Sequence, residues 1–313
     1  MRACLEAAIA APSVHNSQPW LFRPHDTSVD LLVDRRRQLT ALDPDGREMY
    51  ISVGAALLNL RLAIGARARW PRVRLLPDPH RPDLAATVQV GPAVPVPPAE
   101  LLLAQAIHRR RSNREPFART AVPKPPLELL VAAAVREGAS LLVVDSVSRS
   151  RVLRLAAIAE AHQRRDPRYR AELTEWTEPT PGRTDGIPPK AFGPRPAAGM
   201  LPIRDFSLNL ADHRPTARYE PEPTIAVLYA PRDDPLAWLR SGQALQRILL
   251  TATAVGLAST LLTQPVEVAP LRRLFAAPHD ARTAQAVLRL GYAGPGPRTP
   301  RRPLADALVA DES

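Results

Sequence analysis

Apolar residues recur at helical spacing twice in this chain: Val53, Ala56, Leu57, Leu60 and Ile64 within 52–66, and Leu245, Ile248, Leu249 and Ala252 within 241–256. Positions three and four apart share one helix face, so each stretch predicts a helix with a buried side. Offset by 188 residues, the two superpose Gly54 on Gly242, Ala56 on Ala244, Leu57 on Leu245 and Leu62 on Leu250. Strand signals flank both helices, VDLLVD (29–34) and TIAVLY (224–229) before them, ATVQVG (86–91) and AVLRLG (286–291) after them. A further strand, SLLVVD (140–145), falls in the second half, and the proline-rich GPAVPVPPAE (91–100) connects the halves. The repeated order of strand, helix and strand predicts two related halves; chance similarity between alanine- and leucine-rich helices is the competing reading.

Between 177 and 223 the pattern stops, because prolines from Pro179 to Pro223 interrupt every periodicity. A stretch of this length is either a functional loop or a disordered surface insertion. The longest uncharged run, 248–266, contains Thr251, Thr253, Ser259, Gln264 and Pro265, which predicts a buried helix turning into a strand and not a membrane span.

With 313 residues, 45% of them apolar, the chain can bury a sizeable core in one large domain or two small ones. Its one cysteine, Cys4, forms no internal disulfide and no cysteine cluster is present to hold zinc, so the expected compartment is the cytoplasm and no metal is expected. Arg2 precedes an alanine-rich stretch, but Glu6 interrupts the apolar run, and a signal peptide is not expected. The net charge of +11 is almost all arginine, with only Lys124 and Lys190 as lysines. Scattered basic residues, 4% aromatics and no nucleic-acid motif leave this charge to solubility and non-specific attraction.

Two segments carry candidate chemistry. In RRSNR (110–114), an extended backbone turns Arg110, Ser112 and Arg114 to one side and Arg111 to the other. Two guanidinium forks and a hydroxyl suit a phosphate dianion; a solvated basic run closing the helix LLLAQAIHRR is the alternative. In APSVHNSQPW (11–20), a helix ends at Pro12-Ser13 and the turn presents the donors and acceptors of Ser13, Asn16 and Gln18, with Pro19 expected to hold Gln18 extended. An ordinary helix-to-strand loop anchored by Trp20 is the alternative, and His15 reads as structural or solvent-facing, with an imidazole facing a bound ring as its alternative. Gly256 closes the second core helix ahead of a strand, and Arg298, Arg301 and Arg302 follow the last strand. No P-loop, dinucleotide fingerprint, G-x-S-x-G or H-E-x-x-H is present.

Together with ELTEWT (172–177), DGIP (185–188), GLASTLLTQPVE (256–267) and LRLGYAGPGPRTPRRPL (288–304), these motifs resemble the Acg-like branch of the nitroreductase family, actinobacterial FMN-binding proteins, over almost the whole chain. The resemblance implies an α+β fold, an antiparallel sheet wrapped by helices, in which two unequal halves of one chain, 1–98 and 99–313, form a pseudo-dimer. It implies FMN between the halves and a lid at about 177–223. Carried over by position, Arg110, Ser112 and Arg114 meet the phosphate, with help from one of Arg298, Arg301 or Arg302. Pro12, Ser13, Asn16 and Gln18 contact the flavin from the other half, and the backbone of Leu262 and Thr263 lies beside the hydride-accepting nitrogen. The flavin carries the chemistry, so no side-chain acid or base is nominated. Each half lacks one of the two motifs, so one FMN site per chain and no need to dimerise are expected. A lid over that site stands against a nicotinamide donor, which leaves two readings: an oxidoreductase with NAD(P)H or another partner, or an FMN storage protein.

Overall fold

The computed structural model describes residues 1–197, 201–208, 214–276 and 281–309. In chain order the first half consists of α1 (Arg2–Ile9), β1 (Trp20–Pro24), β2 (Ser28–Val33), α2 (Arg47–Gly65), β3 (Arg69–Leu75) and β4 (Leu84–Ala93). After α3 (Pro98–Ala106) the second half runs α4 (Lys124–Arg136), β5 (Ser140–Val143), α5 (Ser146–Arg165), α6 (Pro167–Thr177), the two-residue strands β6 (Arg195–Pro196) and β7 (Thr216–Ala217), β8 (Thr224–Ala230), α7 (Pro235–Ala254), β9 (Ala258–Leu261) and β10 (Thr283–Gly291).

The strands form two antiparallel four-stranded sheets, ordered β1-β2-β4-β3 and β5-β8-β10-β9. The orders match place for place, with α2 and α7 in equivalent positions between the second and third strands of each half. This is the expected α+β architecture, doubled. Both central helices begin earlier than the apolar pattern shows, because polar residues make their starts: Asp43 Oδ2 accepts from the Met49 N–H at 2.9 Å, and Asp234 accepts from Ala237 N–H at 2.8 Å ahead of Pro235. Strand β1 carries no clean alternation, β3 (RWPRVRL) alternates only between exposed and half-buried positions, and neither is among the strands expected from the sequence.

α2 and α7 pack directly on each other, and their closest approach is reciprocal. A Cβ on Gly54 would lie 2.2 Å from the Leu239 carbonyl oxygen, and one on Gly242 would lie 2.0 Å from the Ile51 carbonyl oxygen. Ile51 and Leu239 stand at the same 188-residue offset as Gly54 and Gly242. Contact of i with j and of j with i is the signature of a twofold interface, here within one chain.

The halves also exchange segments. Leu103, Ala106 and Ile107 bury in the core of the first half, as do Leu304 and Ala307. Leu308 bridges Phe22 on the β1 edge, and Ser112 bridges Ser259 on the β9 edge. Residues 198–200 and 209–213 of the 177–223 insertion lie outside the described residues. Of the described rest, Ile187, Phe192 and Phe206 pack with Leu39 and Leu42 of the first half.

Candidate functional site

The loop after α1 is wound tightly. His15, Asn16 and Gln18 have φ of 44°, 56° and 52°, a left-handed backbone that non-glycine residues adopt only when surroundings enforce it. Hydrogen bonds enforce it here. Ser52 Oγ accepts from Val14 N–H at 3.1 Å, and Ser13 Oγ accepts from Gln18 N–H at 2.9 Å. The Gln18 amide donates to the Asn16 and Thr184 carbonyls and accepts from Arg302 N–H at 2.8 Å. This corrects the expectation of an extended Gln18: three partners on the loop, the lid and the C-terminal segment outweigh the pre-proline preference.

That loop forms one wall of a cavity of about 480 Å³ between the halves, a size suited to a cofactor. Ser52 and Ala55 of α2, Leu245 of α7, the 107–114 segment, the lid and 297–301 complete it. One end is cationic. Arg110 is 4% exposed, and its Nε and Nη1 have no hydrogen-bond partner among the described residues. Burial and then the charges of Arg301 and Arg111 lower its pKa to about 9. Arg301 is held by Asn16 Oδ1 at 2.9 Å and Thr299 Oγ1 at 2.8 Å, its buried Nε has no partner among the described residues, and burial with Arg111 lowers its pKa to about 10. Arg111 and Arg298 also line this end. A buried cation and a half-buried one, with no carboxylate paired to either among the described residues, are costly unless an anion joins them.

The other end lies under the lid. Arg114 donates to the Ala191 carbonyl at 2.7 Å and lies 4.6 Å from the centre of the Phe206 ring; burial and then Arg204 lower its pKa to about 10. Arg204 forms a buried pair with Glu267 at 2.5 Å, which holds that guanidinium's pKa well above its ordinary value and that carboxylate's below. His15 meets Phe206 edge to face at 5.7 Å, and neither ring nitrogen has a partner among the described residues. Burial and then Arg204 push its pKa down to about 3, so the imidazole is neutral.

Of the residues the sequence nominates, Pro12, Ser13, Asn16, Arg110, Ser112, Arg114, Thr263, Arg298 and Arg301 line this cavity. Three do not. Gln18 is a fully buried clamp, Leu262 is buried in the second half with its N–H donating to Val287 O at 2.9 Å, and Arg302 turns to the Gln18 carbonyl. Two further expectations are corrected. Arg114 feels Arg204 and not the Arg110–Arg301 group, and Arg111 does line the cavity, its guanidinium donating to the His108 and Arg110 carbonyls. Strict alternation fails because this segment makes a single isolated bridge, at Ser112, and is no regular strand. His15 is neither solvent-facing nor bonded within the described protein. Glu48, Arg204, Glu267 and Phe206 also line the cavity and were not nominated. Only the charged pair Arg47-Glu48 at the head of a core helix was a usable signal; the lid residues sit in aperiodic sequence.

Among the described residues no helix is long and apolar enough to cross a membrane, and no group of three or more acidic, His or Cys side chains is placed to hold a metal. The sequence profile of the nitroreductase family matches residues 107–292. Two proteins of Mycobacterium tuberculosis H37Rv that carry the name "Putative NAD(P)H nitroreductase" are similar along their length: Rv3131 is 35% identical over 98% of this chain and 90% of its own, and acg is 33% identical over 98% and 95%. A solved nitroreductase with bound FMN from Desulfitobacterium hafniense is 16% identical, covering 67% of this chain and 98% of its own at a TM-score of 0.41.

Proposed function

Because this chain belongs to the nitroreductase family, we propose that the cavity between its halves holds one FMN and that the protein is an FMN-dependent oxidoreductase. The observation that carries this reading is the pair of cations at one end of a cofactor-sized cavity, buried Arg110 with two donor nitrogens and half-buried Arg301 with one that have no partner, and neither with a paired carboxylate, among the described residues. A phosphate dianion supplies the acceptors these groups lack. Ser112 lines the same cavity, and Arg114, Phe206, His15 and Thr263 stand near Arg204 and Glu267, at the end left for the ring. When bound, the flavin supplies the electron and hydride transfer. The chain orients it, excludes water and sets the charge around it.

One observation favours storage of FMN as the second reading. The lid is pinned at several points: Gln18 donates to Thr184 O at 3.0 Å, Asn16 to Gly186 O at 2.9 Å, Arg114 to Ala191 O at 2.7 Å, and Arg37 pairs with Asp185. A donor reaches the ring only if these release.

Purified protein is expected to be yellow with one FMN per chain. Arg110→Ala weakens FMN by about 1.5–3 kcal/mol, roughly ten- to hundredfold, and leaves riboflavin unaffected. Arg114→Ala weakens both ligands alike. Equal effects of Arg110→Ala on FMN and riboflavin defeat the phosphate assignment. Anaerobic mixing with NADH or NADPH separates the readings: bleaching of the flavin supports turnover, and persistence of the oxidised spectrum supports storage.

A further inference from the structure

Glu48 and Glu267 form a partition. Both line the ligand cavity, and both also line a second cavity of about 620 Å³ at the N-terminal end of α2, walled by Asp43, Asp45, His162 and Asp233. The two carboxyl groups are held differently. Glu267 has every oxygen engaged: Oε1 accepts from Thr263 Oγ1 at 2.7 Å and Arg204 Nη2 at 2.6 Å, and Oε2 from Gln163 Nε2 at 2.7 Å and Arg204 Nη2 at 2.5 Å. It stays ionised. Glu48 is paired with Arg47 alone among the described side chains, and Arg47 is itself shared with Gln285 O at 2.7 Å, Gln285 Oε1 at 3.1 Å and Val266 O at 3.2 Å.

We propose that Glu48 is a proton-relay residue that takes a proton from solvent in the second cavity and delivers it into the ligand cavity. The inference rests on the flavin reading given above. A two-electron reduction in the ligand cavity brings negative charge there, and a proton must follow from a group that can both hold and release one. The neighbouring groups do not fill that role. The arginines stay protonated, Glu267 is locked in its pair, and His15 is neutral and lines only the ligand cavity. The charged groups facing Glu48 are Arg47 on its own helix, Asp43 in the preceding loop, Arg204 in the lid, Glu267, and Arg272 beyond it. Burial, Glu267 and Asp43 outweigh the arginines and raise the Glu48 pKa to about 7, where a carboxyl exchanges its proton near neutrality. In the relay an external two-electron reductant supplies the electrons, the Glu48 O–H bond breaks to give the proton, and solvent water restores it.

The test compares wild type, Glu48→Gln and Glu48→Asp. FMN-loaded proteins are mixed under argon with two equivalents of reduced methyl viologen, which gives up electrons and no proton, in weak buffer containing a pH-indicator dye, and flavin bleaching and proton uptake are followed together. Infrared titration of the flavin-free proteins runs in parallel. In wild type, proton uptake accompanies bleaching, and a protonated-carboxyl band disappears as pH passes about 7. Glu48→Gln lacks the band and takes up its proton about a hundredfold later than wild type; Glu48→Asp recovers part of the rate. Wild-type timing of proton uptake in Glu48→Gln overturns the relay. Failure to retain FMN defeats the flavin reading instead, and the infrared titration still decides: a wild-type band identical to that of Glu48→Gln overturns the relay without any flavin.

Discussion

The loop between α1 and β1 and the loop between α4 and β5 occupy equivalent places, each joining a helix packed on a central helix to the first strand of a sheet. The first is long, strained and opens on the ligand cavity. The second is Glu137-Gly138-Ala139, a short helix end in which Gly138, at φ 76°, reverses the chain. Where the first loop leaves cations without carboxylates, the second plugs them: Glu137 accepts from Arg61 at 2.6 Å and Arg247 at 2.7 Å, and Arg247 also reaches Glu100 at 2.9 Å. One twofold scaffold thus carries cations with unpartnered nitrogens on one side and a closed ion network on the other, among the described residues. The difference lies in loop length and in which side supplies acids.

The most severe way to break this comparison is to separate the halves. Gly54→Val and Gly242→Val each put a side chain into the backbone of the facing helix, at a place where only parting α2 from α7 relieves the clash. Each is expected to cost more than about 4 kcal/mol, read by thermal or urea unfolding. Near-equal losses support a true internal dyad. A tolerated Gly242→Val beside a ruinous Gly54→Val means that the reciprocal contact is accidental.

Much of this scaffold was legible because periodicity and glycine placement are written locally. The 188-residue offset aligns Gly54 with Gly242 from the sequence alone, and the four flanking strands lie where the apolar runs put them. The site was legible to the level of segments and not of side chains. RRSNR and APSVHNSQPW both reach the cavity, but which arginine belongs to which end depends on Arg301 and Arg204, distant in sequence and brought close only by the fold. Gln18 shows the same limit: its amide is an equally good ligand for a flavin and for the Thr184 carbonyl, and only tertiary geometry chose. Glu48 left a weaker trace: an Arg-Glu pair at the head of an apolar helix is a signal, but a charged residue there ordinarily reads as a solvated first turn.

A second pair of variants sharpens the comparison with opposite signs from one kind of change. Arg247→Met strips Glu137 and Glu100 of a buried partner and is expected to lower stability by about 3 kcal/mol while leaving FMN affinity unchanged. Arg110→Met removes a buried cation with no carboxylate beside it, so the flavin-free protein keeps or gains stability while FMN binds more weakly. Urea unfolding and flavin-fluorescence titration read the two. If both variants destabilise the flavin-free protein alike, the open side is as ion-paired as the plugged one.

The smallest expected effect concerns the one imidazole in the open loop, for which the short loop has no counterpart. The pKa of His15 falls from 6.5 to about 3 on folding, so between these values the unfolded chain binds a proton that the folded chain refuses. His15 therefore contributes a loss of stability as pH falls through this window, at most about 1.4 kcal/mol per pH unit. Glu48 acts with the opposite sign, since its carboxyl rises from 4.5 to about 7 and folding takes up a proton between those values. The two contributions oppose each other from pH 6.5 to 4.5. His15→Asn removes only the first contribution, and asparagine tolerates the left-handed backbone at φ 44°. Relative to wild type, this variant should gain roughly 1 kcal/mol for each pH unit below 6.5 in urea unfolding of the flavin-free protein. Glu48→Gln should drift the other way over the same range. A difference between His15→Asn and wild type that does not change with pH would mean that His15 reaches solvent or a partner in the folded chain, and the contrast between an unsatisfied open loop and a satisfied closed one would lose its clearest member.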